Sequence, residues 1–310
     1  MIDEAKKAGA DAIKFQSFKA ETLVTKSAEK EKYQRTKTKE SQYEMLKKLE
    51  LSEKEQKALF SYCQKRKIIF LSTPYGEEDA DFLEKLGVPA FKISSSDITH
   101  LPLLKHIAKK KLPMIISTGA SYLEEVKEAV KAVKSQGNNK IILMHCTNIY
   151  PAPLEDVNLR AIYTLRKTFN LPIGYSDHTL GTTVPIAAVA IGAVAIEKHF
   201  TLDRKLPGPD QKASSEPKEI KEMVKLIRDT EKALGAPLKA PVRGEHEDRI
   251  LGRRSIIAKT DIKKGEIIKN NMLIIKRPGD GIQPKDIDKI IGKRAKRNIK
   301  KDVSIKRIDI

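Results

Sequence analysis

Cysteine is scarce in this chain, and its scarcity limits the class of protein. Only Cys63 and Cys146 occur among 310 residues, so a disulfide framework is excluded and we predict a reducing, cytoplasmic location. Long apolar runs are also missing. The longest one of low charge, Val184–Ile196, falls short of the ~20 residues that a membrane-spanning helix needs. We expect no signal peptide, because residues 1–4 are acidic where its first part would be basic.

Acidic residues are outnumbered, 41 against 60 basic ones, which gives a net charge of +19. The excess is concentrated in Leu251–Ile310, which holds 18 basic and 7 acidic residues. A basic module can bind nucleic acid, but this one has no aromatic residue on which bases could stack and no helix-turn-helix or zinc pattern. We therefore favour a lysine-rich solvated surface and predict neither a nucleic-acid nor a membrane partner.

Short apolar runs rich in β-branched residues alternate with helical patterns, and this alternation predicts an α/β fold with a parallel sheet and outer helices. We count seven strands before Thr201, whereas a TIM-type (β/α)8 barrel needs eight. The chain opens in a helical pattern with no strand before it. We therefore predict a barrel whose first strand is missing from this chain, with an open, doubly wound sheet as the alternative. The predicted strands are Asp11–Gln16, Ile68–Leu71, Ala90–Ile93, Met114–Ile116, Ile141–Met144, Pro172–Tyr175 and Ala193–Ile196.

The pattern changes after the helix predicted at Pro217–Leu234. We assign residues 1–234 to the barrel domain, 235–250 to a linker rich in Gly, Pro and charge, and 251–310 to a small, mostly β domain. Its predicted strands are Ser255–Ala258, Glu266–Ile268 and Met272–Ile275. The polar segment Gln34–Lys48 is predicted to cover the barrel mouth as a loop and a helix.

Chemistry in a barrel of this kind lies at the carboxyl ends of the strands. Lys14 and Lys92 stand there, beside several Ser and Thr hydroxyls. Lysines at strand ends can simply be solvated, but two of them beside hydroxyl donors favour a site for an anion with phosphate and carboxylate groups.

Two histidines, His178 and His199, end adjacent predicted strands. Imidazoles at neighbouring strand ends can bind one divalent ion, with water and substrate in its other positions. His145 is open to either a site or a packing role. Cys146 follows an apolar strand and is predicted to be a buried, inert thiol.

Seven motifs at these strand ends resemble those of the sialic acid synthase family, which includes N-acetylneuraminate and legionaminate synthases. The basic module, with K-R-P-G at Lys276–Gly279, resembles the family's C-terminal antifreeze-like (SAF) domain. The motifs are K-F-Q at 14–16, F-K-I-S-S-S-D at 91–97, S-T-G at 117–119, H-C-T-N-I-Y-P at 145–151, G-Y-S-D-H-T at 174–179, E-K-H-F-T at 197–201 and P-G-P-D at 207–210.

The resemblance implies a barrel enzyme that condenses phosphoenolpyruvate with an N-acetylated amino sugar, either N-acetylmannosamine or a 2,4-diacetamido hexose. It implies a divalent cofactor, Mn²⁺ or Mg²⁺, held by His178 and His199, and a homodimer with a swapped SAF domain. Lys14, Lys92 and Asp97 would be catalytic. Thr73, Ser95 and Ser117 would help to hold phosphoenolpyruvate, and the sugar would contact Asn148, Tyr150, Ser176, Asp210 and, from the partner subunit, Arg277.

Two departures from the family pattern matter. The family opens with a strand that carries E-I-G and N-H-x-G, whose glutamate lies in the active site, and no counterpart precedes Met1. We therefore expect a truncated synthase with little or no activity. Many members also have glutamate where this chain has Asp97, whereas legionaminate-type synthases often have aspartate, which hints at the sugar.

Two other functions remain as alternatives. One is another phosphoenolpyruvate-dependent aldose-condensing synthase, such as a 3-deoxy-heptulosonate-type enzyme, which would lack the SAF module. The other is a non-catalytic binding protein built around that module. Ice binding is disfavoured because a regular threonine face is needed and Leu251–Ile310 contains only Thr260.

Overall fold

The computed structural model describes residues 1–34 and 40–310, and they form two compact units, Met1–Gly235 and Ala236–Ile310. The first unit alternates strands and helices, and its described residues form the seven strands that the sequence predicts. These are β1 (Ala12–Ser17), β2 (Ile69–Pro74), β3 (Phe91–Ile93), β4 (Met114–Ser117), β5 (Ile141–Cys146), β6 (Ile173–Asp177) and β7 (Ile196–Lys198).

Helices follow the strands along the chain and cover the sheet. Several begin at side-chain caps; α4, for example, starts where the Ser52 hydroxyl accepts a hydrogen bond from the Glu55 amide. The helices are α1 (Ile2–Ala8), α2 (Ala20–Leu23), α3 (Gln42–Lys47), α4 (Glu53–Arg66), α5 (Glu77–Leu86), α6 (Leu101–Lys109), α7 (Leu123–Ser135), α8 (Ala161–Phe169), α9 (Thr183–Ala190) and α10 (Pro217–Leu234).

Every strand pair in this unit is parallel, and neighbours in the sheet are neighbours in the sequence. β1 pairs with β2, and β3 to β7 pair in chain order. β2 lies beside β3, although no hydrogen-bonded ladder joins these two strands in the described part of the chain, so a two-stranded and a five-stranded sheet lie edge to edge. The predicted TIM-type α/β fold is confirmed, and all seven carboxyl ends lie at one edge of the sheet.

The core lies between the sheet and the helices. Phe91, Leu104, Ile116 and Leu143 have no exposed surface and belong to one apolar cluster. A second cluster packs α10 against α1 and α9, so that the last helix of the unit bridges its first and ninth helices. This closure brings the two ends of the sheet toward each other.

The start of the seventh strand differs from the prediction. The seventh strand begins at Ile196 rather than at Ala193. Val194 is exposed and its amide already donates to the Ile173 carbonyl, but the register with β6 starts at Ile196. Within the predicted mouth segment Gln34–Lys48, the structure has α3, and residues 35–39 lie outside the described residues. No helix in the described part of the chain is long and apolar enough to span a bilayer.

The second unit contains a small antiparallel sheet of β8 (Ser255–Ala258) and β9 (Leu273–Lys276), after the short helix α11 (His246–Leu251). Its core is aliphatic, built from side chains such as Ile256 and Ile305. The strand predicted at Glu266–Ile268 is wrong. This segment exchanges hydrogen bonds with residues 292–295, which are irregular, and forms only an isolated bridge.

Gly174 in β6 allows a test of how closely this strand packs against its neighbours in the sheet. An added Cβ would overlap the Met144 sulfur and lie 2.8 Å from the Ala195 carbonyl oxygen. We expect Gly174→Ala to lower the free energy of unfolding by about 1–3 kcal/mol, because overpacking forces neighbouring atoms to move. Urea denaturation measures the change, and Gly244→Ala, where the new Cβ meets no atom within 4 Å, should leave it unaltered. Equal stability of the two variants would contradict this packing.

Candidate active site

A cluster of charged and hydroxyl side chains lies at the carboxyl edge of the sheet. Lys14 comes from β1, Lys92 from β3, Ser117 from β4, Ser176 from β6 and Glu197 from β7. Side chains alternate between the two faces of a strand, so these groups project from their strands toward a common centre. The curled sheet therefore gathers residues that are distant in the sequence.

Glu197 joins the two predicted lysines. Its Oε1 atom lies 3.3 Å from Lys14 Nζ and 3.7 Å from Lys92 Nζ, and it accepts a hydrogen bond of 3.1 Å from the Ser176 hydroxyl. Lys92 also donates to Ser117 Oγ at 2.6 Å and to the Ile93 carbonyl at 3.0 Å. Two ammonium groups thus share one carboxylate, which leaves the centre able to attract an anion.

Burial sets the electrostatics of this centre. Lys92 is 2% exposed, and burial lowers its pKa to about 8, with Glu197 opposing the change and Lys14 adding to it. Burial would raise the pKa of Glu197, but Lys14 and Lys92 outweigh it and hold that pKa below the usual range. Below about pH 8, Lys92 is therefore positively charged and Glu197 negatively charged.

His178 and His199 face each other beside this centre. Their ring centroids are 5.4 Å apart and their planes are inclined by 68°. His178 Nδ1 lies 2.7 Å from the Thr147 carbonyl oxygen, which assigns the proton to Nδ1 and leaves the lone pair on Nε2. Burial lowers the pKa of His178, and burial followed by His178 lowers that of His199 to about 3. Both rings are therefore neutral near pH 7, the form that binds metal ions.

Tyr150 forms an aromatic wall beside the two imidazoles. Its ring lies 4.0 Å from the His178 ring and 5.5 Å from the His199 ring, measured between centroids. Its hydroxyl donates to Asn148 Oδ1 at 3.0 Å, and the Tyr33 ring lies 4.6 Å away on another side. These contacts hold Asn148 and Tyr150 together at the site.

Asp210 completes this side of the site. Its Oδ2 atom lies 3.8 Å from His199 Nδ1, whereas Oδ1 is buried and has no hydrogen-bond partner in the described structure. Burial raises the pKa of this carboxyl group. A buried acceptor without a partner is costly, so a bound hydroxyl, amide or ion would satisfy it.

The histidine pair suits a divalent ion that keeps open positions. The two neutral imidazoles lie side by side, and Asp210 contacts one of them, His199; nitrogen and carboxylate oxygen atoms are the ligands that such ions accept. Among residues 1–34 and 40–310, however, no group of three or more His, Cys, Asp or Glu side chains is arranged to hold a metal. Such an ion would therefore depend on water and substrate for its remaining ligands.

Other predicted residues line the same strand ends. Ser95 Oγ accepts a 3.0 Å hydrogen bond from the Gly119 amide, and Gly119 has no room for a Cβ, which would lie 2.9 Å from that oxygen. Thr73 Oγ1 and Asp97 Oδ2 are buried without a hydrogen-bond partner in the described structure. Burial raises the pKa of Asp97 to about 6. Arg277 is an exposed residue of the second unit.

A cavity of about 680 Å³ lies beside the carboxyl ends of β4 and β5, lined by Thr118, Cys146, Asn148 and Arg160 among others. His145, also in the lining, donates a 2.8 Å hydrogen bond from Nε2 to the Val157 carbonyl oxygen, so Nε2 carries the proton. The cavity has the size of a small-molecule site and shares Asn148 with the aromatic wall.

Sequence reasoning gave no role to three groups that the structure places here. Glu197 stands two residues before His199, and this spacing puts both on one strand face. The spacing was the sequence feature that could have identified Glu197 as a site residue. Tyr33 lies in a polar loop with no distinguishing pattern. The buried ion pair of Asp177 and Lys198 carries no signal beyond its position at two strand ends.

Comparisons with known proteins identify the family of this chain. The sequence model of the NeuB family matches residues 1–239, and that of the SAF domain matches residues 253–309. N,N'-diacetyllegionaminic acid synthase of Legionella pneumophila is 50% identical over 96% of this chain and 86% of its own length. Human N-acetylneuraminate-9-phosphate synthase is 36% identical over 98% of this chain and 86% of its own.

Solved structures lead to the same group. The N-acetylneuraminic acid synthetase of Leptospira borgpetersenii superposes with a TM-score of 0.72 at 38% identity, over 80% of this chain and 82% of that one. The resemblance found in the sequence motifs is therefore confirmed, and the chain belongs to the NeuB family.

Proposed function

We propose that this chain condenses phosphoenolpyruvate with an N-acetylated amino sugar to give a nonulosonic acid and phosphate. The observation that carries the proposal is the pair of lysines around Glu197, next to two neutral imidazoles, in a member of the NeuB family. The 50% identity to a protein named N,N'-diacetyllegionaminic acid synthase supports a 2,4-diacetamido hexose as the acceptor, ahead of N-acetylmannosamine.

Phosphoenolpyruvate binds at the lysine centre in this proposal. Lys14 and Lys92 balance its phosphate and carboxylate charges, and their positions are already fixed by Glu197, so little reorganisation is needed. Ser117 lies 2.6 Å from Lys92 Nζ and offers a hydroxyl donor. Thr73 and Ser95 supply further hydroxyls at neighbouring strand ends.

The acceptor sugar binds beside the imidazoles in its open-chain form. Asn148, Tyr150 and Ser176 offer polar groups on this side, and the unpartnered Asp210 oxygen accepts a hydrogen bond from a sugar hydroxyl or amide. The cavity next to Asn148 provides room for the rest of the sugar. His178 and His199 would hold Mn²⁺ or Mg²⁺, which would polarise the aldehyde oxygen.

The reaction that follows balances without an oxidant or reductant. The enol carbon of phosphoenolpyruvate bonds to the aldehyde carbon, whose oxygen takes up a proton. Water adds to the carbon that bears the phosphate, and the C–O bond to phosphate then breaks. We assign the acid–base role to Asp97, and its support is that burial raises its pKa to about 6.

The second unit contributes Arg277 in this proposal. We assign residues 1–234 to the synthase domain, 235–250 to a linker and 251–310 to the SAF domain, which docks on the other chain of a cytoplasmic homodimer. Arg277 of the partner subunit would then contact the N-acetyl group. Its exposed position in a unit separate from the barrel is compatible with such a role.

An assay of phosphate release tests the reaction. The protein is incubated with phosphoenolpyruvate and, in turn, a 2,4-diacetamido hexose, N-acetylmannosamine or erythrose 4-phosphate, after EDTA dialysis with or without added Mn²⁺. We expect phosphate release, however slow in this chain, to be fastest with the diacetamido sugar and at least tenfold faster with Mn²⁺ than without it, because a Lewis acid activates the aldehyde. Release with erythrose 4-phosphate alone would indicate the heptulosonate-type reaction, and release with none of them would favour a binding protein.

The charge of Lys92 predicts that activity is limited at high pH. Lys92 is protonated below pH 8 and loses its charge above it, so kcat/KM for phosphoenolpyruvate should fall as the pH rises through about 8. In Glu197→Gln the fall should begin at a lower pH, because the carboxylate that favours the ammonium is gone. Lys92→Met should lose about 10²–10³-fold in kcat/KM, and the exposed Lys140→Met should lose none. An unchanged pH profile in Glu197→Gln would argue against the shared carboxylate.

Mixing variants tests whether Arg277 acts across a dimer. Arg277→Ala and His199→Ala should each be nearly inactive. Random exchange of their chains should restore about a quarter of the wild-type activity, because half of the dimers are mixed and each of these has one intact site. Activity is measured before and after mixing, with dimers verified by light scattering. Absence of recovery in mixed dimers would show that Arg277 does not act in trans.

A further inference from the structure

A buried ion pair joins the two strands that carry most of the site. Asp177 in β6 and Lys198 in β7 are register partners, and Lys198 Nζ contacts Asp177 Oδ2. Their side chains are 0% and 3% exposed. Successive side chains alternate along a strand, so the pair projects from the face opposite to that of Ser176 and Glu197.

Each charge in the pair is satisfied by neighbouring groups. Asp177 Oδ1 accepts hydrogen bonds from the Thr179 amide at 2.9 Å, the Thr179 hydroxyl at 2.8 Å and the Tyr175 hydroxyl at 3.2 Å. Lys198 Nζ also donates to the Thr179 carbonyl at 2.7 Å. A buried pair of this kind adds little net stability compared with apolar side chains, but it does fix how two segments are aligned.

Alignment matters here because β7 is short. It has three residues and, in the described part of the chain, pairs with β6 alone. A slip of one residue would move its side chains to the opposite face of the sheet. The two members of the pair each directly precede a histidine of the site, His178 and His199, and each directly follows Ser176 or Glu197.

We propose that Asp177 and Lys198 are positioning residues, whose buried ion pair sets the relative placement of His178 and His199 at the ends of β6 and β7. Neither side chain touches the substrates in this assignment. The strand alignment and the hydrogen bond from His178 Nδ1 to the Thr147 carbonyl together place the rings, and only the effect on metal binding rests on the proposed function.

The test removes both charges while keeping the shapes. The double variant Asp177→Asn, Lys198→Met leaves no buried charge, and the Asn oxygen can still accept the bonds that Asp177 Oδ1 accepts. Its crystal structure gives the ring separation, electron paramagnetic resonance gives the Mn²⁺ affinity, and a melting curve verifies folding. We expect the ring centroids to move from 5.4 Å by about 1 Å or more and Mn²⁺ binding to weaken at least tenfold.

Lys110→Met is the matched control. Lys110 is a lysine with a side chain 8% exposed that pairs with Asp81 and Glu84 of α5, away from the strand ends. This variant should lose stability and keep the ring separation and Mn²⁺ affinity of the wild type. A loss of stability by itself is therefore not expected to change the ring separation or the Mn²⁺ affinity.

The outcomes distinguish the positioning role of Asp177 and Lys198 from the metal site of the proposed function. A folded double variant with ring centroids within about 0.5 Å of their original separation overturns the proposal, whatever its activity. If the double variant does not fold, Asp177→Asn alone, which can keep the bonds at Oδ1, is judged by the same criterion. If the wild-type protein binds no Mn²⁺, the metal site of the proposed function fails, and the ring separation in the variant still decides the positioning role.

Discussion

Two ammonium groups share one carboxylate at the centre of this molecule, and the arrangement of the site depends on that contact. Without Glu197, the buried Lys92 would face Lys14 with no opposite charge, and burial would drive its proton off. With Glu197, Lys92 remains charged near neutral pH, and two lysines face a single carboxylate. The protein therefore holds positive charge that attracts anions in a buried, poorly hydrated site.

This contact exists because the sheet is parallel and curled. Lys14 and Glu197 are 183 positions apart in the sequence, yet they lie 3.3 Å apart because β1 and β7 end at the same edge. The last helix of the unit packs on α1 and α9 and so supports that proximity. Site chemistry in this protein is thus a consequence of how its helices close the sheet, as much as of the side chains themselves.

The sequence predicts local features of this fold well. The seven strands are short apolar runs, and Lys14, Lys92, His178 and His199 stand where such runs end. The strands and these four residues could therefore be identified from the sequence. Contacts that depend on distant segments could not. The role of Glu197 depends on its contacts with two lysines on other strands. Residues 266–268 have the sequence pattern of a strand, but the segment that they hydrogen-bond to is irregular. The start of β7 is set by pairing with β6 rather than by its own apolar residues.

The aromatic wall has an optical consequence. The chain contains eight tyrosines and no tryptophan, so its ultraviolet emission comes from phenol rings alone. Tyr150 lies between Tyr33 and the ring of His178, in contact distance of both. Any ion or sugar that settles beside those imidazoles alters the surroundings of this emitter, so the protein carries a built-in reporter of occupancy that needs no label.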